Sequence, residues 1–333
     1  MAGEVEAAPK VKVFCFFSSE KKIFLMSVWH FALGRPLPAA PDLGGIEQCV
    51  LHLGAALAAR GHTLGAEPRR ADIVVAINDA RLLPDGPAPI VWFHNEVSAW
   101  REARRHRLPA LFRHRPLAVF CGTAQARAAS RLLPFRARKI LPHGLPKSIL
   151  EAPPAASPPP PHALFFSQAY RGLAGIIALW RRRIAPAHPA ARLSAYIAAA
   201  DVPPYRALAK GEPSIAILPR VANAAMPGLL AGTRLLLAPG HRAESFCLAA
   251  AEAIAMGVPV VTSGTGALKE RVQHGRTGFI CGSQAEMAQQ CLALLTDDAL
   301  WSRMQANGLA TRTNAGWDRI ARDWENLVAE PPD

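Results

Sequence analysis

The chain has 333 residues, 50% of them hydrophobic and 19% charged, a composition that excludes a disordered chain and suits a soluble protein of two domains, each with its own core. No apolar run reaches the roughly 18 residues a membrane-spanning helix needs, and the opening MAGEVEAAPK is too polar and acidic for a signal peptide, so a cytoplasmic protein is expected. Six scattered cysteines (Cys15, Cys49, Cys121, Cys247, Cys281, Cys291) form no C-x-x-C pair, which points to reduced core thiols and gives no metal-ligand spacing.

The net charge of +13 is concentrated between Arg101 and Lys147, where twelve Lys or Arg stand against the single acid Glu102. Such a stripe attracts phosphate-rich partners: an anionic membrane surface, a lipid diphosphate, a charged glycan or a nucleic acid. Aromatic residues are not interleaved along it as a single-strand binding platform requires, so no nucleic acid is expected. Arginine is abundant along the whole chain, and a basic surface without function is the other reading.

In chain order, residues 11–17 and 23–28 both have strand character. The second is favoured as the opening strand because it leads more directly, through a loop over residues 29–43, to Gly44-Gly45. Residues 46–59 read as a helix ending at Gly61. Residues 73–77, 90–93 and 117–120 are apolar runs of parallel-strand type, the second ending in His94-Asn95-Glu96, where a side chain points toward a cleft. Thr123 has the hydroxyl of an N-cap for the helix that follows. After a short run at 139–141 comes His143-Gly144.

Residues 151–162, EAPPAASPPPPH, hold six prolines and read as an extended, semi-rigid spacer between domains. The expected division is residues 1–150, this linker, a second domain over 163–316, and a terminal helix over 317–333 packed back on the first domain.

The second half opens with a strand at 163–167 and a helix through 183 that carries Arg171-Gly172-Leu173. Strands at 193–197 and 215–218 follow, the latter succeeded by Arg220. The centre of the chain is residues 234–282, RLLLAPGHRAESFCLAAAEAIAMGVPVVTSGTGALKERVQHGRTGFICG. A buried strand at 235–238 breaks at Pro239-Gly240; a helix of good helix formers over 245–256 ends at Gly257; a second strand at 259–262 runs into Ser263-Gly264-Thr265-Gly266, a loop that must pass close to something. In such a βαβ unit a ligand sits beyond the strand ends, where the helix N-terminus offers unpaired N–H groups. Glu244 and Glu252, eight positions apart, flank that helix start. A lone buried carboxylate is expensive unless hydrogen-bonded, and a bound polyol would satisfy it. Solvation, an arginine partner or a simple capping role are the bland alternatives. Helices at 284–296, 298–306 and 317–329 complete the chain.

The run E-S-F-C-L-x-x-x-E-A-x-A-x-G-V-P-V-V, followed by G-x-L-x-E-R-V-x-x-G-x-T-G-F, resembles over about forty residues the donor-site segment of group 1 (family 4) retaining glycosyltransferases. The resemblance implies an α/β fold of the GT-B type: two facing Rossmann-like domains, an interdomain cleft and a C-terminal crossover helix. It implies that Glu244 binds the transferred sugar, that Glu252 binds the nucleotide ribose, and that the backbone N–H groups of Phe246, Cys247 and Leu248 face the sugar and diphosphate. Arg171 then matches the basic residue of a K-G-L motif that binds the diphosphate, and His94 a histidine near the reaction centre. Gly44 and Gly45 match the acceptor-domain glycine pair, with Glu96 on the acceptor side. The second arginine common in the family is Phe166 here, so Arg220 or Lys269 is expected to replace it. Ser245 and Cys247 stand where glycines are commoner.

The implied activity is metal-independent sugar transfer, without a cofactor, from a nucleoside-diphosphate sugar to a hydroxyl of a glycan, lipid or lipopolysaccharide-type acceptor, as in cell envelope polysaccharide synthesis. No D-x-D metal motif is evident, and a peripheral contact with an anionic membrane through the basic stripe is expected. An inactive or binding-only homologue and a GT-B nucleotide-sugar epimerase are the alternatives on the same architecture.

Overall fold

A computed structural model describes residues 26–36, 44–85 and 89–329. Among these residues twelve strands form two parallel sheets of six.

The first sheet contains β1 (Val28–Ala32), β2 (Thr63–Leu64), β3 (Ile73–Ile77), β4 (Ile90–Phe93), β5 (Leu117–Phe120) and β6 (Ala137–Ile140), in the order β2-β1-β3-β4-β5-β6. Strands β4 and β5 are buried along their whole length, as expected of apolar runs covered on both faces. The opening strand lies later than expected: Trp29 to Ala32, read as loop, are strand, with Trp29 paired to Ile73 and Ala32 to Ala76. The reason is burial. Trp29 is fully enclosed and its ring meets Trp324 at 6.4 Å, so tertiary packing holds this segment in the sheet. Residues 23–25, the candidate strand at 11–17 and Cys15 lie outside the described residues.

The second sheet contains β7 (His162–Phe166), β8 (Arg192–Ile197), β9 (Ile215–Pro219), β10 (Leu235–Leu237), β11 (Val260–Thr262) and β12 (Gly278–Ile280), in the order β12-β11-β10-β7-β8-β9. Numbered within the sheet this is the 3-2-1-4-5-6 order of dinucleotide-binding domains, and the direction of winding reverses between β7 and β10.

The proline-rich segment lies against the second domain. Ala155 O accepts from Gln305 Nε2 at 2.7 Å and Pro159 O from Arg234 Nη1 at 3.1 Å. The helix Trp317–Ala329 packs on the first sheet. Its Ile320, Ala321, Trp324 and Leu327 enter the core formed by Trp29, Leu53 and Trp92, and Trp324 meets Trp92 at 5.1 Å. Burying each such large apolar side chain contributes about 1.5–3 kcal/mol. Glu325 on the same helix accepts from Arg60 at 2.6 and 2.7 Å and lies 3.0 Å from His62 Nε2. Gly144 lets the chain pass this helix, since a Cβ there would lie 2.8 Å from Trp317 Cα.

Candidate active site

The two central strands of the second sheet deliver the charged residues. After β7 the chain makes a tight turn, Ala169–Arg171, closed by Gly172 at φ 112°, where a Cβ would strike Pro239 at 2.5 Å. After β10 it bends through Pro239 and Gly240 to Glu244. The result is an ion pair at the topological switch point: Arg171 Nη1 stands 2.5 Å from Glu244 Oε2. A small pocket there is lined by Phe166, Ser167, Arg171, Gly240, Glu244 and Cys247. The glycine loop after β11 passes directly over it. Gly266, at φ 67°, lies so near that a Cβ would be 3.0 Å from the Cβ of Glu244, and Ala267 N donates to Glu244 O at 3.0 Å.

The helix Leu248–Ala255 begins three residues later than expected. Cys247 adopts a left-handed conformation, φ 63°, and Ser245 spends its hydroxyl across the domain boundary on His94 O at 2.5 Å. No hydrogen bond from the amide N–H groups of Phe246, Cys247 or Leu248 to a described residue is found, so these donors remain available at the helix start. Burial raises the Cys247 thiol pKa, which keeps it a protonated core group. Glu252 is half-buried within the helix and accepts no hydrogen bond among the described residues; burial pushes its carboxyl up to about 7.

The first domain meets the start of this helix through Gly45 and His94. Gly44 caps the helix Gly45–Ala59 without a side-chain bond, and Gly45 faces the second domain, where a Cβ would lie 3.3 Å from Leu248. His94, directly after β4, is held by its own amide, which donates to Asn78 Oδ1 at 2.7 Å. Its ring is buried against Trp92, 4.2 Å between centroids, and neither ring nitrogen finds a partner among the described residues. Burial, then the neighbouring His143, hold its pKa well below the ordinary value, so the ring is neutral.

The remaining expected residues are not all gathered here. Arg220 is exposed at the end of β9, the outer edge strand, two strands from β7. Lys269 is exposed on the short helix Leu268–Arg271. Glu96 is half-buried and pairs with Arg101 at 3.2 Å. Thr123 is the first residue of its helix, with Gly122 as the N-cap, and its amide donates to Glu270 of the second domain at 2.9 Å. Much of the basic stripe is committed internally: Arg107 pairs with Asp79 at 3.1 Å, Arg113 with Asp85 at 2.5 Å, and Arg138 bonds Ala129 O.

Three residues near the site were not anticipated. Arg271 lies 4.5 Å over the ring of Phe246, its Nε buried without a partner, and burial lowers its pKa. His143 stacks between His94 at 5.0 Å and Phe246 at 4.6 Å. Cys49 sits beneath them on the Gly45–Ala59 helix. Arg271 is within reach of sequence reasoning, being part of the E-R-V run; the other two depend on long-range contacts of the Gly45–Ala59 helix with the ends of β4 and β6.

Residues 161–297 match the family Glycosyl transferases group 1. They form a group 1 glycosyltransferase domain. The group 1 domain and the half before it together have the GT-B fold. Sucrose-phosphate synthase from Thermosynechococcus elongatus superposes with a TM-score of 0.68 at 15% identity, covering 90% of this chain and 98% of that one. HepE from Anabaena, in complex with UDP and glucose, superposes with a TM-score of 0.67 at 15% identity, covering 92% and 100%. Among curated proteins, N-acetyl-alpha-D-glucosaminyl L-malate synthase from Bacillus anthracis is 40% identical over 78 residues, 23% of this chain. The chain spans about a fifth of that relative's length, 20%. No helix among the described residues is long and apolar enough to cross a membrane.

Proposed function

We propose that the protein is a retaining glycosyltransferase that moves a sugar from a nucleoside-diphosphate sugar to a hydroxyl of a glycan, lipid or lipopolysaccharide-type acceptor. The observation that carries this reading is the meeting of Arg171 and Glu244 at the β7/β10 switch point. The like-folded HepE bound to UDP and glucose supports the donor class.

In this reading the diphosphate takes Arg171 and the free amides at the start of the Leu248–Ala255 helix, where preorganised positive charge stabilises the departing nucleoside diphosphate. Glu244 is released to the sugar hydroxyls and Glu252 accepts from the ribose. Arg271, buried beside Phe246, supplies the second cation that Phe166 cannot, in place of Arg220 or Lys269. Gly44 and Gly45 allow close approach from the acceptor side, where Glu96 also lies, and neutral His94 contacts the sugar near its anomeric carbon. The bond from that carbon to the phosphate oxygen breaks, the bond to the acceptor oxygen forms on the same face, and the acceptor proton passes to the leaving phosphate. No protein nucleophile, metal or cofactor is needed for that step.

The acceptor side offers a surface for an anionic membrane. Trp100, 67% exposed, stacks under Arg104 at 4.6 Å, and Phe112 and Leu132 are exposed, each next in sequence to an exposed arginine, Arg113 and Arg131. In this reading the protein binds peripherally at the inner membrane face.

The test is turnover of UDP-, GDP- and ADP-sugars with and without an envelope glycolipid extract. Acceptor-dependent release of nucleoside diphosphate, with the donor's anomeric configuration kept in the product, supports the reading. Turnover of free donor to an isomer identifies an epimerase, and binding without turnover an inactive homologue.

A further inference from the structure

Cys49, His94, after β4, and His143, after β6, offer ligand atoms that all lie within 4.8 Å of one another. All three are buried, Cys49 at 1% exposure. Both ring nitrogens of His94 and Nδ1 of His143 are buried without a hydrogen-bond partner. Leaving a buried polar atom unsatisfied costs about 1–3 kcal/mol, so unsatisfied imidazoles around a thiol form an arrangement that a ligand would relieve.

The surroundings already fix one ring as a metal ligand is fixed. The Cys121 thiol donates to Phe93 O at 3.1 Å, and its sulfur lies 3.0 Å from His143 Nε2. With the thiol proton committed to the carbonyl, Nε2 carries the ring hydrogen and donates to the sulfur, which leaves Nδ1 with a free lone pair. Anchoring one imidazole nitrogen to orient the other is how proteins hold metal-bound histidines. Trp92 and the stacked rings of His94 and His143 keep both imidazoles side by side.

We propose that Cys49, His94 and His143 form a binding site for one zinc-class divalent ion, with a fourth position open. A thiolate and two imidazoles suit a borderline-soft ion and disfavour Mg²⁺ and Ca²⁺, which take oxygen ligands. Tetrahedral bonds of about 2.0–2.3 Å place ligand atoms roughly 3.3–3.6 Å apart, so small side-chain rotations close the cluster. One consequence rests on the donor-site reading: a metal-bound His94 is unavailable to the sugar, so the loaded protein binds donor less well.

The test uses Co²⁺ as the probe, added to the full chain after chelation under reducing conditions. The expected result is saturation at one equivalent, with thiolate-to-cobalt charge-transfer and tetrahedral d–d absorption, displaced by Zn²⁺ and unaffected by excess Mg²⁺. Cys49→Ser abolishes the charge-transfer band, and His143→Gln weakens binding at least about tenfold. Cys121→Ser keeps the band, and circular dichroism verifies folding of each variant. Absence of the bands in the wild type, or a charge-transfer band that survives Cys49→Ser and vanishes in Cys121→Ser, overturns the site. Donor binding is read separately on metal-free protein, so either reading can fail without the other.

Discussion

Arg171 and Glu244 are 73 positions apart in sequence, yet their side chains meet at 2.5 Å because β7 and β10 are neighbours in the sheet. In the absence of substrate each neutralises the other. Under the proposed function a sugar diphosphate would separate them, with phosphate on the guanidinium and hydroxyls on the carboxylate. Glu244→Gln removes the charge but keeps the shape, and is expected to destabilise the fold by about 1–3 kcal/mol in urea unfolding.

Glu252 makes a pH prediction. Burial raises its folded-state pKa from 4.5 to about 7, so between those values the folded protein holds a proton that the unfolded chain releases. Its contribution to stability is full below pH 4.5 and is lost as pH rises toward 7. Glu252→Gln is therefore expected to be more stable than the wild type at pH 8, by up to about 3 kcal/mol, and equal to it near pH 4. Donor affinity should move the other way in the wild type, strengthening as the carboxylate ionises to accept ribose hydroxyls, and should be flat with pH in the variant. Melting curves and donor titrations across pH 5–8 check both.

The terminal helix is held by Glu325, which is buried and bound by Arg60 and His62. Burial alone would raise its pKa, but the hydrogen bonds from Arg60 and His62 outweigh it and hold the carboxyl below the usual range. Its stabilisation is thus present above about pH 4.5 and lost as pH falls through the folded-state pKa. Glu325→Ala leaves Arg60 half-exposed and His62 buried without the carboxylate, and is expected to cost about 2–4 kcal/mol in denaturant at pH 7. A loss under about 0.5 kcal/mol would show that the apolar face alone fixes the helix.

Glu270 joins the domains. Its carboxylate accepts from the amides of Thr123, at 2.9 Å, and Ala124, both in the first domain. Glu270→Ala is expected to open the cleft, seen as a larger radius of gyration in small-angle scattering without donor. An unchanged radius would mean that the other contacts, among them Ser245 with His94 and Phe246 with His143, suffice to keep the domains together.

The sequence carried the second domain nearly whole, because its strands are short apolar runs bounded by Gly and Pro: Leu235–Leu237 and Val260–Thr262 fall where their punctuation places them. The helix between them is shorter at its start, since Ser245 is drawn to His94 and Cys247 turns left-handed, both long-range demands invisible in local propensity. Trp29 to Ala32 lack a local strand signal for a related reason: an aromatic strand with partly buried neighbours shows no clean alternation, and its partner Trp324 lies far along the chain. Glu244, Arg171 and His94 were legible through a motif. Cys49 and His143 were not, because no spacing links them: the order of β4 and β6 around β5 brings His143 beside His94, and Cys49 reaches them from the Gly45–Ala59 helix.

The most direct measurement of the central claim is a calorimetric titration of the full chain with UDP-, GDP- and ADP-sugars, alongside Arg171→Ala and Glu252→Ala. The account predicts saturable binding of one donor class, weakened at least about tenfold by each substitution, as loss of a charge-assisted hydrogen bond implies. Saturable binding that both variants retain unchanged would contradict it, placing the nucleotide away from the β7/β10 switch point.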